Sequence, residues 1–157
     1  MTRRSRAREV ALQLLFQHDV NPGVPRTVIE RFVRDRLTNP PAEAFCLTLF
    51  DGVVKNIDKI DLRLTAASDN WKLQRMAASD RNVLRLGTFE IAHAGNMTPA
   101  PVAIDEAIEL ARRYGSKDSP AFVNGVLDKV YRTFTDETSS TTKVGDAIVP
   151  QTAGNSA

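Results

Sequence analysis

The stretch PVAIDEAIELARRYG, residues 101–115, decides the fold class. Ile104, Ala107, Ile108 and Ala111 fall at offsets 0, 3, 4 and 7, which lays apolar side chains along one face of an α-helix. Glu109 and Arg113 sit four apart with the acid first, the favourable order for an exposed pair. Pro101 suits the first helical turn, and Gly115 suits a left-handed residue just past the last. Outward from this segment, helical spacing recurs and no period of two emerges. Downstream, Ser119-Pro120 reads as an N-cap followed by proline at the first helical position. Val123, Val126, Leu127, Val130 and Phe134 then stripe a last helix ending at about Phe134. Upstream, Asp80 or Ser79 caps a helix that turns Val83, Leu84, Leu86 and Ile91 inward. Trp71–Met76 reads as a helical turn or two. A helix from near Pro41 carries Phe45, Leu49, Val53 and Ile57, with a kink or break near Asn56 and continuation through Ile60, Leu64 and Ala67. Two more helices, from about Arg26 to Leu37 and from about Arg4 to His18, end at proline-containing breaks. The expectation is an all-α protein, a compact bundle of about seven helices in two packed sub-bundles. Residues 1–134 form the helical domain, and the Thr/Ser/Gly-rich residues 135–157 form a disordered tail.

Composition narrows the function classes. With 157 residues, 42% hydrophobic and 25% charged, the chain has the make-up of a soluble globular domain that needs no disulfide or metal to fold. Cys46 is the single cysteine, in an apolar stripe, which fits a core position and a reducing cytoplasm. No apolar run approaches the roughly 18 residues a membrane span needs. His18 and His93 lack metal-ligand spacing, no glycine-rich phosphate loop is present, and Ser119 is explained by capping. Asp105, Glu106 and Glu109 read as a solvated face. Nothing here supports an enzyme, a metal or a cofactor.

The net charge of +2 is unevenly spread. Asp136, Glu137 and Asp146 face only Lys143 in the tail, so the rest of the chain holds +4, and residues 1–8 contain four arginines and no acid. Arginines in a first helical turn oppose the helix dipole, at a few tenths of a kcal/mol each, which favours an external use such as a polyanion. Two further features stand out. On a wheel of about 100° per residue, Leu12 and Phe16 lie opposite the stripe of Ala7, Val10, Ala11 and Leu14, so the first helix is either buried between layers or offers a side to a partner. Phe122 sits off the stripe of the last helix, beside the polar 115–119 loop with Lys117. It is either a platform for an unpaired base or edge core.

Several runs carry a family resemblance. Pro101–Ala111, then Tyr114-Gly115, then Phe122-Val123-Asn124-Gly125-Val126-Leu127-Asp128-Lys129 resemble the bacterial transcription antitermination factor NusB family. So do Arg6-Ala7-Arg8-Glu9 with Ala11–Phe16, and Asp80-Arg81-x-x-Leu84-Arg85-Leu86-Gly87-x-x-Glu90. The resemblance spans about residues 3–132, with Tyr114 where the family more often has phenylalanine. It implies a two-part helical, non-enzymatic fold that binds boxA-type single-stranded RNA together with NusE, a small-subunit ribosomal protein. The complex then acts on RNA polymerase during ribosomal RNA synthesis. By position it implies that Arg3, Arg4, Arg6 and Arg8 contact the RNA, that Phe122 stacks a base with Lys117 and Asp118 nearby, and that Phe16, Asp80 and Arg81 face NusE. Four phosphate contacts would give a log–log salt slope of about −3 on a single strand. The alternative is a helical protein-interaction module or homodimer that uses the Leu12/Phe16 face without specific RNA binding.

Overall fold

The computed structural model describes residues 2–69 and 71–147, with side chains as far as residue 140. Seven α-helices follow in order: α1 Arg3–Val20, α2 Arg26–Arg36, α3 Pro40–Lys55, α4 Ile57–Ala67, α5 Ala78–Thr88, α6 Ala100–Tyr114 and α7 Ser119–Ala147. A single 3-10 turn, Leu73–Arg75, lies between α4 and α5, and α5 runs on as a π-helical turn over Phe89–His93. There is no strand among the described residues, as the uniform helical periodicity requires.

Local chemistry explains most of the boundaries. Thr2 caps α1 by accepting from the Ser5 N–H at 3.0 Å, and Asn39 caps α3 by accepting from the Ala42 N–H at 3.0 Å with prolines following. The break expected near Asn56 is present and separates α3 from α4. Three expectations are corrected. α5 starts at Ala78 with Ala77 before it and no side-chain cap, so Ser79 and Asp80 lie inside its first turn. Gly115 has φ −99° and ψ −168°, extended and not left-handed. Its reason is closeness: a Cβ there would collide with the Ser119 side chain and come within 2.8 Å of the Ala111 carbonyl oxygen. Finally, α7 does not stop at Phe134 but continues to Ala147, so the segment expected as a tail begins as helix. Residues 148–157 of that tail lie outside the described residues.

α5 is the hub. Every residue from Asn82 to Ile91 is buried, and the helix touches α1, α3, α4, α6 and α7. Around it, α1 packs chiefly on α3 while α6 packs chiefly on α7, giving two groups of helices with one continuous core. Leu12 is fully buried, so α1 is an inter-layer helix with apolar residues on both sides. Cys46 is buried too, and burial pushes its thiol up to about 12, which keeps it protonated and inert.

Two polar groups on α5, Asn82 and Arg85, are matched by partners from other helices. Arg85 donates through Nε and one terminal nitrogen to the two oxygens of Asp61 on α4, at 2.9 and 3.0 Å. Asn82 donates to Asp19 of α1 at 2.8 Å and accepts from Arg85 at 3.2 Å. These bonds lock α1 and α4 onto the hub.

Candidate nucleic-acid interface

The four N-terminal arginines share one helix turn or two but not one environment. Arg3 and Arg4 are exposed, with the Arg4 guanidinium 4.6 Å from the centre of the Phe45 ring. Arg6 is half-buried and donates to Glu9 at 2.7 Å, and the other Glu9 oxygen takes Arg113 of α6 at 2.8 Å. Arg8 is only 3% exposed. Its Nε and a terminal nitrogen donate to both oxygens of Glu90 at 2.7 and 2.9 Å, and Glu106 lies 3.8 Å away. The expectation that Arg8 reaches RNA is therefore corrected. Withdrawing it would leave Glu90, itself 2% exposed, as an uncompensated buried charge, at a cost of about 3–5 kcal/mol. Arg3, Arg4 and part of Arg6 remain as an accessible cationic edge.

The second candidate region is a groove where the α4–α5 connection meets the start of α7. Phe122, in the first turn of α7, is half-buried: it packs against the core and also lines the groove with Trp71, Arg75, Asp80 and Asp118. Trp71 is 56% exposed, and its ring centroid lies 6.4 Å from that of Phe122 with the planes tilted by 59°. Ser68 holds the Trp71 backbone from both sides. Its carbonyl accepts the Trp71 N–H at 3.0 Å, and its hydroxyl donates to the Trp71 carbonyl at 3.0 Å. The start of α7 is fixed by Ser119, 1% exposed, whose hydroxyl accepts the Ser116 N–H at 2.9 Å. Lys117 and Asp118 are exposed on this loop, but only Asp118 lines the groove.

The residues expected at a protein partner's surface separate. Phe16 is half-buried, its ring tilted against Tyr114 at 6.2 Å. Arg81 is tied to Asp19 at 3.3 Å and to the Leu73 carbonyl at 3.4 Å. Asp80 lies in the groove with Phe122, and its Oδ1 is cut off from solvent with no hydrogen-bond partner. An acceptor in that state is costly unless a ligand supplies a donor.

The two candidate RNA-contacting regions are distinct. α1 and α6 run alongside each other, paired through Ser5 with Glu106, Glu9 with Arg113 and Gln13 with Tyr114. The arginines lie at the Glu106 end and the groove lies beyond the Tyr114 end. At about 1.5 Å per residue, Glu106 and Tyr114 are roughly 12 Å apart along α6. Arg112 and Arg113 are exposed on the stretch between them. Sequence reasoning did not single out Trp71 and Arg75. The available signal was a lone tryptophan in a polar connection, where burial could not explain it.

No described helix is long and apolar enough to cross a membrane, and no group of three or more metal-binding side chains occurs among the described residues. Comparison with known proteins gives consistent matches. The NusB family profile matches residues 5–132. The transcription antitermination protein NusB of Sorangium cellulosum is 43% identical over 130 residues, covering 83% of this chain and 92% of its own length. That of Anaeromyxobacter dehalogenans strain 2CP-1 is 45% identical over 133 residues, covering 82% and 90%. Among solved structures, T. maritima NusB superposes with a TM-score of 0.74 at 33% identity, covering 89% of this chain and 98% of that one. A complex of antitermination factors NusB and NusE with dsRNA superposes at 0.75 with 26% identity, covering 85% and 99%.

Proposed function

Because the chain belongs to the NusB family, we propose that it is a transcription antitermination factor that binds boxA-type RNA together with NusE and is not an enzyme. The observation that carries this reading is the family match over residues 5–132, which takes in both the arginine edge and the Phe122 groove. The similar NusB–NusE complex with dsRNA supports RNA and NusE as partners. In this reading Arg3, Arg4 and Arg6 draw in the phosphate backbone, and Phe122 stacks an unpaired base beside Lys117 and Asp118. Phe16 and Arg81 lie toward NusE. The assembled complex acts on RNA polymerase in the cytoplasm, during ribosomal RNA synthesis.

The chemistry fits a shared task. Arginines provide salt-dependent attraction through counterion release, and stacking adds roughly 1–3 kcal/mol per base. A short cationic edge and one groove make a modest site, so a partner that lengthens the RNA surface is physically reasonable. The rival reading, a homodimer through Leu12 and Phe16 without RNA, loses Leu12 to the core. The test is fluorescence anisotropy of a labelled boxA-like RNA titrated with this protein alone and with NusE. The expected result is binding strengthened by NusE and weakened roughly 5- to 150-fold by Phe122→Ala. No binding in either condition at low salt overturns the reading.

A further inference from the structure

Most arginines of this molecule are neutralised pair by pair, which makes the exceptions informative. Among the described residues, the arginines without a carboxylate partner are Arg3, Arg4, Arg31, Arg34, Arg36 and Arg75. All but Arg75 belong to one end of the α1–α2–α3 group. α2 leads into α3 through Leu37–Asn39 alone, so its last turn lies at the start of α3, and Arg4 stacks on Phe45 little more than a turn into that helix. Adding the longest reach of that connection to the rise along α3 puts the Arg4 guanidinium at most about 30 Å from the Arg36 backbone. The other end of α2 is different: Asp51 takes Arg26 in two bonds, at 2.6 and 2.9 Å, and Glu30 takes it at 3.3 Å. On a wheel of about 100° per residue, Arg31 and Arg34 are turned roughly 160° and 100° from the buried Val33, so both face solvent. The Arg36 guanidinium lies over the Phe32 ring at 3.4 Å, repeating the Arg4–Phe45 arrangement. A ring against one face of a guanidinium leaves in-plane N–H groups free to donate. The helix dipole accounts for cations in the last turn, where Arg34 and Arg36 lie, but not for Arg31 before it.

Resting on the RNA-binding reading above, we propose that the end of α2 is a second phosphate-binding surface. It takes the single-stranded RNA that flanks the boxA-type element, continuing from the arginine edge of α1. Arg31, Arg34 and Arg36 hold backbone phosphates, opposed on that stretch only by Asp35. Arginine contacts to phosphate carry no sequence information, so this surface lengthens the footprint without changing what is preferred. Its composition favours RNA over a protein partner. The outward face of α2 presents Thr27, Val28, Arg31, Arg34 and Asp35, with one apolar side chain, too little for the apolar centre of a protein interface.

The experiment measures anisotropy of two labelled RNAs across a salt series, with the full chain and NusE present. One RNA is the boxA-like element alone, and the other carries long uridine flanks at both ends. The expected log–log salt slope is steeper by about 2 for the flanked RNA, from three contacts at about 0.7 each. The double variant Arg31→Gln with Arg34→Gln should lower the flanked slope by about 1.4 and leave the short-RNA slope unchanged. Lys55→Gln with Lys59→Gln removes the same charge from exposed positions at the far end of α3 and beyond, and should leave both slopes as in the wild type. Equal slopes for the two RNAs in the wild type overturn the second surface and leave RNA binding standing. So does a lysine pair that matches the arginine pair, because net charge alone then accounts for the effect. An arginine double variant that loses NusE affinity but keeps both slopes overturns it in favour of a protein contact. No anisotropy change at low salt overturns both readings.

Discussion

Arg4 and Arg8 lie four residues apart on one face of α1 and have different jobs. Arg4 sits at the end of the helix above the Phe45 ring, where its charge is open to solvent. One turn deeper, Arg8 is closed over by Glu90 and Glu106 and by the same Phe45 ring, 5.1 Å from its guanidinium. The two substitutions should therefore separate stability from affinity. Arg8→Ala should destabilise the fold by about 3–5 kcal/mol in a denaturant titration. Arg4→Ala should leave the unfolding midpoint almost unchanged and reduce the RNA salt slope by about 0.7. With Arg8 withdrawn, the wild-type slope expected from three arginines is about −2 and not −3. A helical wheel could mark the arginine cluster, but it could not tell Arg4 from Arg8. The difference comes from carboxylates 82 and 98 positions further along the chain. Phe122 was legible as an off-stripe aromatic for the opposite reason, since its own helix shows the misfit.

At the scale of elements, α5 and its π-helical turn show what buried polar residues do in a helical hub. The motif Leu84-Arg85-Leu86-Gly87-x-x-Glu90, legible earlier only as a family resemblance, has a physical content: Arg85 binds α4 and Glu90 binds α1. The wider π turn carries Phe89, whose ring lies against Gly52 of α3 so closely that no Cβ fits between them. Gly52→Ala should cost about 1–3 kcal/mol by overpacking, read as a lowered thermal midpoint with RNA affinity at low temperature retained. The apolar stripes of α3, α4 and α6 were readable because they repeat locally every three or four residues. The start of α5 was not, because Ala77 precedes it without the side-chain cap that Ser79 and Asp80 advertised. Asp80 instead turns to the groove.

Across the whole molecule, packing also tunes the histidine where α4, the π turn and α7 meet. Burial, then the charges of Arg63 and Lys59, lower the His93 pKa against a smaller opposing effect of Glu137, and Arg63 donates to its ring nitrogen at 3.3 Å. Folded His93 resists protonation while the unfolded chain takes up a proton near pH 6.5. Stability should therefore fall as pH drops through about 6.5, and the fall should be shallower in His93→Gln, a difference readable from urea midpoints at pH 7.5 and 5.5. Scale matters in time as well as in space. Arg8 leaves the ribosome early, and the carboxylate that shelters it follows 82 residues later. At roughly 5–20 residues per second, that is a wait of about 4–16 s during which the guanidinium lacks the carboxylate that closes over it. The arginine edge is thus set in place only after α5 and α6 have emerged. A truncated nascent chain carries the cationic segment without its geometry, so the factor becomes competent for assembly late in its own synthesis.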